Sequence, residues 1–219
     1  MTGLCPIKSI MPYSPQVLKE HYFTRSYFTK DRWASYWYQL EMVLQCSPRT
    51  LLEIGPGDHT VSDTLEKRGI AVTTADIAKD LFPKVIASVT DLPFGEDSFD
   101  AVLAAEVLEH IGFEDVPRAL REMRRVTKRF LFIGLPHAGI VFSCGFKLPL
   151  FRRFDCIWKL PFFWKKHRFQ GEHHWELGKR GYGISRIRKL FVEQGFVVRA
   201  ARLHADDPAH YFFILEKRQ

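Results

Sequence analysis

Glycine and acidic residues recur where short apolar segments of this sequence end. Gly55 and Gly57 follow the apolar segment 50–54, and glycine removes the Cβ atom where a backbone turns sharply or approaches a ligand. Asp76 ends the next apolar segment, 19 residues after Gly57. A carboxylate at that place can accept hydrogen bonds from both hydroxyl groups of a ribose. The spacing therefore predicts a site for a nucleotide-like ligand, with a structural turn and a solvated acid as the alternatives.

Two later segments extend this pattern. Asp91 and Leu92 follow a third apolar segment, and an acid beside a leucine can accept from an exocyclic amine while the leucine packs on a purine face. A fourth segment begins at Phe99 and leads into Ala105 and Glu106. Each segment alone is a weak signal, but their order and spacing together favour a bound nucleotide-type ligand.

The elements that must position these residues alternate between strand and helix from residue 50 onward. Strands are predicted at 50–54, 70–75, 84–88, 99–104, 129–135, 196–203 and 211–217. Helices are predicted after Asp58, around Val116–Val126 and at 185–194, and the last two strands are close enough in sequence to form an antiparallel hairpin. This order predicts an α/β fold with a mostly parallel sheet and helices on both faces, which binds ligands at the carboxyl ends of its strands.

Two further helices are predicted ahead of the first strand. One covers residues 14–29, with Ser14 as N-cap and Pro15 in the first turn. The second runs from about Asp31 to Cys46, with apolar residues on the face that should pack on the core. That face consists of Trp33, Tyr36, Trp37, Leu40, Val43 and Leu44.

Length and composition predict one globular domain in a reducing compartment. The 219 residues suit a single α/β domain, and the four cysteines show no paired spacing typical of zinc sites or disulfide frameworks. The N-terminal residues lack the pattern of a signal peptide, and no apolar run is long enough to span a membrane, so we expect a cytoplasmic protein. The net charge of +7 suits nucleic acid, an anionic membrane, an acidic substrate or a solvated face, without choosing among them.

The segments LLEIGPG, TTADI and TDLPFGEDSFDAVLAAEVLEHI resemble those of class I S-adenosylmethionine-dependent methyltransferases, especially the branch containing ubiquinone- and menaquinone-type enzymes. The resemblance covers residues 50–135 closely and the last helix and hairpin more loosely. It implies a Rossmann-like, seven-stranded fold with S-adenosylmethionine as cofactor. By this resemblance, Glu53, Gly55 and Gly57 meet the methionine end, Asp76 and Ile77 the ribose, Asp91 and Leu92 the adenine, and Ala105 and Glu106 the sulfonium side.

Several departures narrow the function. No Asn-Pro-Pro-Tyr or Asp-Pro-Pro-Tyr follows the fourth strand, and no cysteine has the context of a cytosine-methylating nucleophile. Both absences count against methylation of DNA bases. Thr60 stands where a dinucleotide fingerprint needs its third glycine, which counts against an NAD-dependent oxidoreductase. Pro56, Asp58 and His59 replace smaller residues of many relatives and leave the contacts at the methionine end open.

Methyl transfer needs alignment of donor and acceptor, and sometimes a base. Among the histidines at predicted strand ends and loops, we favour His174 as the base, with His110 as a second candidate and His137 as a third. The alternative for each is a hydrogen-bonded structural histidine. A metal site formed by His173, His174 and Glu176 is disfavoured because adjacent side chains chelate awkwardly, so we predict no metal.

Residues 137–183 interrupt the strand–helix alternation. We divide the single domain 1–219 into a helical cap (1–48), a cofactor-binding core (49–136), a basic aromatic lid insertion (137–183), and a final helix and hairpin (184–219). The stretch 140–169 holds many aromatic residues and a single acid, Asp155, among its basic residues, which are Lys147, Arg152, Arg153, Lys159, Lys165, Lys166 and Arg168. A lid packed on the domain and a surface for anionic lipid explain it equally well, and an RNA surface comes third.

The sequence therefore predicts a methyltransferase for a small-molecule or lipid-like acceptor, with oxygen, nitrogen and carbon all open as the methylated atom. An RNA methyltransferase and a catalytically silent cofactor-binding protein remain as alternatives. The oligomeric state is left open. Partners other than the acceptor are limited to peripheral contact with an anionic membrane, with nucleic acid less favoured.

Overall fold

The computed structural model describes residues 13–147, 154–169 and 171–218. Within these residues the strands are β1 (Thr50–Ile54), β2 (Ala71–Asp76), β3 (Val85–Ile86), β4 (Phe99–Ala105), β5 (Thr127–Pro136), β6 (Gly139–Phe146), β7 (Phe154–Pro161), β8 (Phe196–Leu203) and β9 (His210–Lys217). Seven of them form one sheet in the order β3–β2–β1–β4–β5–β9–β8. Strands β1 to β5 run parallel, whereas β9 pairs antiparallel with both β5 and β8. The predicted Rossmann-like, mostly parallel sheet with a C-terminal antiparallel hairpin is confirmed.

Helices cover both faces of this sheet, as predicted. They are α1 (Lys19–Tyr22), α2 (Lys30–Cys46), α3 (Thr60–Glu66), α4 (Val116–Val126) and α5 (Ile184–Glu193). Successive strand residues point to opposite faces, so Leu51 packs in the core under α2 and α3, while its neighbour Leu52 packs in the core that holds Met123 of α4 and Phe191 of α5. The two cores hold the sheet rigid and fix where its strands end.

The predicted helix at 14–29 is wrong. Helix α1 covers four residues, and Leu18 stands at its N-cap without a side-chain hydrogen bond. The segment ahead of it is held by tertiary contacts instead, because the Tyr13 hydroxyl donates to Asp115 and Gln16 Nε2 donates to the His110 carbonyl oxygen. These contacts fix residues 13–18 against the end of β4, and the helix that Pro15 would have started does not form.

Helix α2 matches its predicted bounds closely, but only part of its predicted buried face is buried. Thr29 caps the helix by accepting from the Arg32 backbone N–H at 3.2 Å. Tyr36 and Val43 are buried as expected, whereas Trp33 and Trp37 are exposed. The two tryptophans lie beyond the edge of the surface that the sheet offers to α2.

Two more strand predictions need correction. The strand predicted at 84–88 is reduced to two residues: the Ala87 N–H still bonds to the Asp76 carbonyl oxygen, but Ser88 then forms an isolated bridge with Asp91 instead of continuing along β2. Strands β6 and β7 were not predicted, and they form a separate two-stranded antiparallel ribbon. The period-two alternation of apolar residues in β6 is the signal that could have found them.

The remainder of the predicted insertion does not all stand apart from the domain. Trp175 and Leu177 are fully buried in the core beneath α4 and α5. Pro149, Phe151, Arg152 and Arg153, on which part of the insertion argument rests, lie outside the described residues, as do residues 1–12 of the predicted cap. Among the described helices, none is long and apolar enough to cross a membrane.

Candidate active site

A cavity opens where β1, β2 and β4 end, roofed by the segment ahead of α1. Its volume is about 760 Å³, which includes space open to solvent. The strand ends supply Ile54, Gly55, Asp76, Ile77, Glu106 and Val107, and the N-terminal segment supplies Tyr13 to Val17 and Tyr22. The carboxyl edge of the sheet thus carries the site, as the strand order predicts.

The turn after β1 has to be glycine at its first position. Gly55 has a φ of 71°, and a Cβ atom there would lie 2.7 Å from Cγ2 of Val107. Gly57 also has a positive φ, and a Cβ atom there would lie 3.1 Å from the ring of Tyr22, but Gly57 does not itself line the cavity. Glu53 lies beneath the turn, fully buried, and burial raises the pKa of its carboxyl to about 8. It is not on the cavity wall.

Asp76 and Ile77 line the cavity where β2 ends. The Asp76 Oδ1 atom accepts a hydrogen bond from the Ala78 backbone N–H at 2.8 Å, which fixes the carboxyl group at the strand end. Burial raises the pKa of Asp76, while the backbone N–H groups of Ala78 and Ile77 act against that shift. The carboxyl group of Asp76 is therefore held by the backbone at the strand end and lies on the cavity wall.

The residues predicted for the adenine do not reach the cavity. Asp91 is exposed and Leu92 is buried in the core, and neither lines the wall. Ser88 and Val89 line it instead, because the chain leaves β3 two residues earlier than predicted. The strand-end rule applied to the predicted end at Ser88 would have selected these two residues.

Glu106 occupies the end of β4 in a left-handed conformation, with a φ of 54°, which is uncommon for a residue with a side chain. Its carboxylate lies 2.6 Å from Arg32 Nη1 and 3.2 Å from His210 Nε2. The second ring nitrogen of His210, Nδ1, lies 2.7 Å from Asp207 Oδ1. Ala105, predicted beside Glu106, packs against the core and does not line the cavity.

These neighbours determine the charges at the end of β4. Burial opposes ionisation of Glu106, but His210 and Arg32 outweigh it and lower its pKa to about 2. Burial likewise disfavours a charged His210, and Glu106 with Asp207 raises its pKa to about 10. The wall of the cavity therefore carries a fixed ion network. Sequence reasoning missed Arg32, His210 and Asp207, since their partners are distant in the chain.

Of the three candidate base histidines, the structure places His110 on the cavity wall. Its Nδ1 lies 2.9 Å from Gln16 Oε1 and 3.2 Å from the Glu172 carbonyl oxygen. His174 lies behind the wall, with its Nε2 3.2 Å from Gln16 Nε2 and its backbone N–H on the Glu109 carbonyl oxygen. His174 therefore contacts the site through Gln16.

His137 has a different environment. It is buried, and neither ring nitrogen has a hydrogen-bond partner among the described residues. Burial, together with the nearby Lys159, lowers the pKa of its imidazole to about 4. It packs edge-on against Tyr211 and does not line the cavity.

Comparison with known proteins identifies the domain. Residues 52–130 match a family model described as a methyltransferase domain. Demethylmenaquinone methyltransferases of Mycobacterium marinum and Mycobacterium tuberculosis are 32% identical to this chain over 128 residues, which is 51% of this chain and 51% and 50% of theirs. The chain thus spans about half the length of the curated relatives it matches.

Solved structures agree on the fold. A protein of Pyrococcus horikoshii superposes with a TM-score of 0.59 at 15% identity, covering 92% of this chain and all of that one. Magnesium protoporphyrin IX methyltransferase of Synechocystis PCC 6803, solved with bound S-adenosylmethionine, gives a TM-score of 0.57 at 13% identity, covering 85% of this chain and 80% of that one. The predicted resemblance is confirmed for residues 52–130, which match a methyltransferase domain, and the fold is that of solved S-adenosylmethionine-dependent methyltransferases.

Proposed function

We propose, from the methyltransferase domain that this chain carries, that the protein transfers a methyl group from S-adenosylmethionine to a small-molecule or lipid-like acceptor. One observation carries the proposal: the ends of three neighbouring strands bring Gly55, Asp76 and Glu106 to one cavity. We assign Asp76 to the ribose, Ser88 and Val89 to the adenine side, and the turn at Gly55 to the methionine end.

Methyl transfer mainly requires the protein to position the methyl donor and the acceptor. The acceptor atom attacks the methyl carbon in line with the carbon–sulfur bond, whose electron pair stays on sulfur and leaves a neutral thioether. A hydroxyl or amine acceptor also releases a proton. We place the acceptor beside Glu106 and His110, because both line the cavity at the end of β4. We also assign Glu106 to the sulfonium side of the donor, as the sequence resemblance implies, because Glu106 lines the cavity where β4 ends.

The relatives favour an acceptor of moderate size. They are named for demethylmenaquinone and for magnesium protoporphyrin IX, which are small molecules. The cavity here has aromatic and aliphatic residues of the N-terminal segment on one side, including Tyr13, Val17 and Tyr22. Such a wall suits an apolar ring system with a polar atom to be methylated.

A panel assay tests this proposal. Purified protein is incubated with S-adenosylmethionine and with reduced quinones, phenols, carboxylic acids and short RNA, and release of S-adenosylhomocysteine is measured. We expect turnover with a small apolar acceptor and none with RNA. Cofactor binding without turnover on any acceptor would favour the silent binding protein, and turnover on RNA alone would refute the proposed acceptor class.

We also propose that the β6–β7 ribbon contacts an anionic lipid surface. Cross-strand pairing places Ile140 with Leu160 and Phe142 with Trp158 on one face of the ribbon. The Phe142 and Trp158 rings lie 5.5 Å apart, and both side chains are more than half exposed. A lid packed on the domain would bury such rings, so their exposure favours an interface.

The charges near the ribbon suit phosphate groups. Lys165, Lys166 and Arg168 are exposed just beyond β7, and each basic residue close to an anionic membrane contributes about 1 kcal/mol to binding. Exposed aromatic rings can enter the headgroup region beside such charges. The described part of the ribbon does not line the cavity. The ribbon would therefore hold the protein at the surface that supplies a lipid-like acceptor.

Liposome sedimentation tests the interface. We expect anionic vesicles to pull down more protein than neutral vesicles, and Phe142→Ala/Trp158→Ala to remove most of that difference. Trp37→Ala on α2 is the matched control, because Trp37 is equally exposed but lies outside the ribbon. Equal sedimentation with both vesicle types, or an equal loss in the Trp37 control, would refute the contact.

A further inference from the structure

Three side chains with metal-ligating atoms meet beside the cavity. Glu109 and His110 belong to the short turn Leu108–His110 that follows β4, and His173 comes from the loop ahead of α5. One potential ligand atom of each side chain lies within 4.8 Å of the other two. The sequence analysis predicted no metal and disfavoured a site formed by His173, His174 and Glu176; this cluster differs from that set because His174 and Glu176 are not part of it.

The carboxylate of Glu109 is the unusual member. Its side chain is fully buried, and neither oxygen has a hydrogen-bond partner among the described residues. Burying a carboxylate without a partner is unfavourable by several kcal/mol, so native proteins supply a hydrogen bond, a cation or a proton. A cation beside Glu109 would satisfy both oxygens.

The histidines are oriented as metal ligands usually are. Nδ1 of His110 faces two acceptors, Gln16 Oε1 and the Glu172 carbonyl oxygen, so Nδ1 carries the proton and Nε2 keeps its lone pair. Nδ1 of His173 lies 3.5 Å from Glu176 Oε1, which orients that ring in the same way. Histidine ligands in proteins typically donate their second nitrogen to a carboxylate or carbonyl oxygen in this manner.

We propose that Glu109, His110 and His173 bind a divalent transition-metal ion such as Zn²⁺ at the edge of the methyl-transfer cavity. Two imidazoles and a carboxylate form a ligand set that leaves coordination positions open. Tetrahedral ligand atoms at about 2.0–2.2 Å from one ion lie about 3.3–3.6 Å apart, so side chains whose ligand atoms are up to 4.8 Å apart must close by up to about 1.5 Å to bind it. His110 lines the cavity, so an ion at this place borders the acceptor.

This inference rests on the proposed function and narrows it to acceptors with a hydroxyl group. A divalent ion lowers the pKa of a bound hydroxyl and holds the resulting oxyanion, which is the form that attacks a methyl carbon. The hydroxyl proton passes to solvent, the carbon–sulfur electron pair stays on sulfur, and a new carbon–oxygen bond forms. His110 then acts as a metal ligand and not as the base. The lone pair on its Nε2 can bind the ion or accept a proton, but not both.

Cobalt titration tests the site directly. The full chain is stripped with EDTA and titrated with Co²⁺, and visible d–d absorption is followed, with Zn²⁺ added as competitor. We expect one ion per chain, loss of the absorption bands in Glu109→Gln, and an affinity at least ~10-fold weaker in His173→Ala. His174→Ala is the matched control and should bind Co²⁺ as the wild type does.

Calorimetry with S-adenosylhomocysteine on the same samples separates this inference from the proposed function. All variants should retain cofactor binding, which also shows that they are folded. Absence of Co²⁺ binding in a wild-type protein that binds S-adenosylhomocysteine would overturn the metal site and leave the methyltransferase proposal intact. Co²⁺ binding that survives Glu109→Gln, or that His174→Ala abolishes equally, would show that other residues hold the ion and would also overturn it.

Discussion

Replacing Asp76 with alanine should weaken cofactor binding without unfolding the protein. Asp76 Oδ1 accepts from the Ala78 N–H, and the carboxyl group lies on the cavity wall, where it can accept from a ribose hydroxyl. A hydrogen bond to a charged group contributes about 1.5–3 kcal/mol. The expected loss is therefore about 1.5–3 kcal/mol, which corresponds to a roughly 10- to 150-fold higher Kd for S-adenosylhomocysteine. Asp76→Asn retains an oxygen that can accept from the Ala78 N–H, so its Kd should lie between those of the wild type and Asp76→Ala.

Isothermal titration calorimetry with S-adenosylhomocysteine measures this loss, and thermal unfolding of each variant checks its fold. Asp91→Ala is the matched control, because Asp91 follows the next strand but is exposed and lies off the cavity. Its Kd should equal that of the wild type. Unchanged affinity in Asp76→Ala would refute the ribose assignment, and a loss in Asp91→Ala would restore the adenine contact that the sequence predicted.

Three further variants test the turn, the buried acid and the loop behind the site. In denaturant unfolding, Gly55→Ala should destabilise the protein by about 1–3 kcal/mol more than Gly69→Ala. Both glycines have positive φ, but of the two only Gly55 would place a Cβ atom against Val107. Equal losses of stability would contradict the packing argument. The pKa of Glu53 rises from 4.5 to about 8 on folding, so the unfolded chain loses this proton first and stability should fall between these pH values. Glu53→Gln should flatten that part of the profile of melting temperature against pH in cofactor-free protein, and a profile as steep as that of the wild type would refute the shift. Trp175→Ala should cost about 3–5 kcal/mol, because a fully buried indole and its hydrogen bond to a backbone carbonyl are both lost; a loss below 1 kcal/mol would mean that the loop repacks.

The sequence alone determined the sheet and the strand ends that face the cavity. Apolar segments, glycine turns and helical spacing are local properties, and parallel strands bring their carboxyl ends to one edge. Gly55, Asp76 and His110 therefore reach the cavity from their positions at strand ends, and Ile77 and Glu106, which the resemblance selected, lie there too. The choice of Asp91 over Ser88 followed residue type instead of strand position, and it selected a residue off the cavity.

Only the tertiary structure decided which side chains meet across the fold. Arg32 and His210 reach Glu106 from a helix and a hairpin that are 74 and 104 residues away in the chain, and His173 reaches Glu109 from another loop. No spacing in the sequence encodes such pairs, because they depend on how the layers pack and not on local geometry. Burial and partners then set the charge of each group. Two glutamates three residues apart thus differ in pKa, at about 2 for Glu106 and about 8 for Glu109, because His210 and Arg32 outweigh burial at the first, whereas burial and the negative charge of Glu106 prevail at the second.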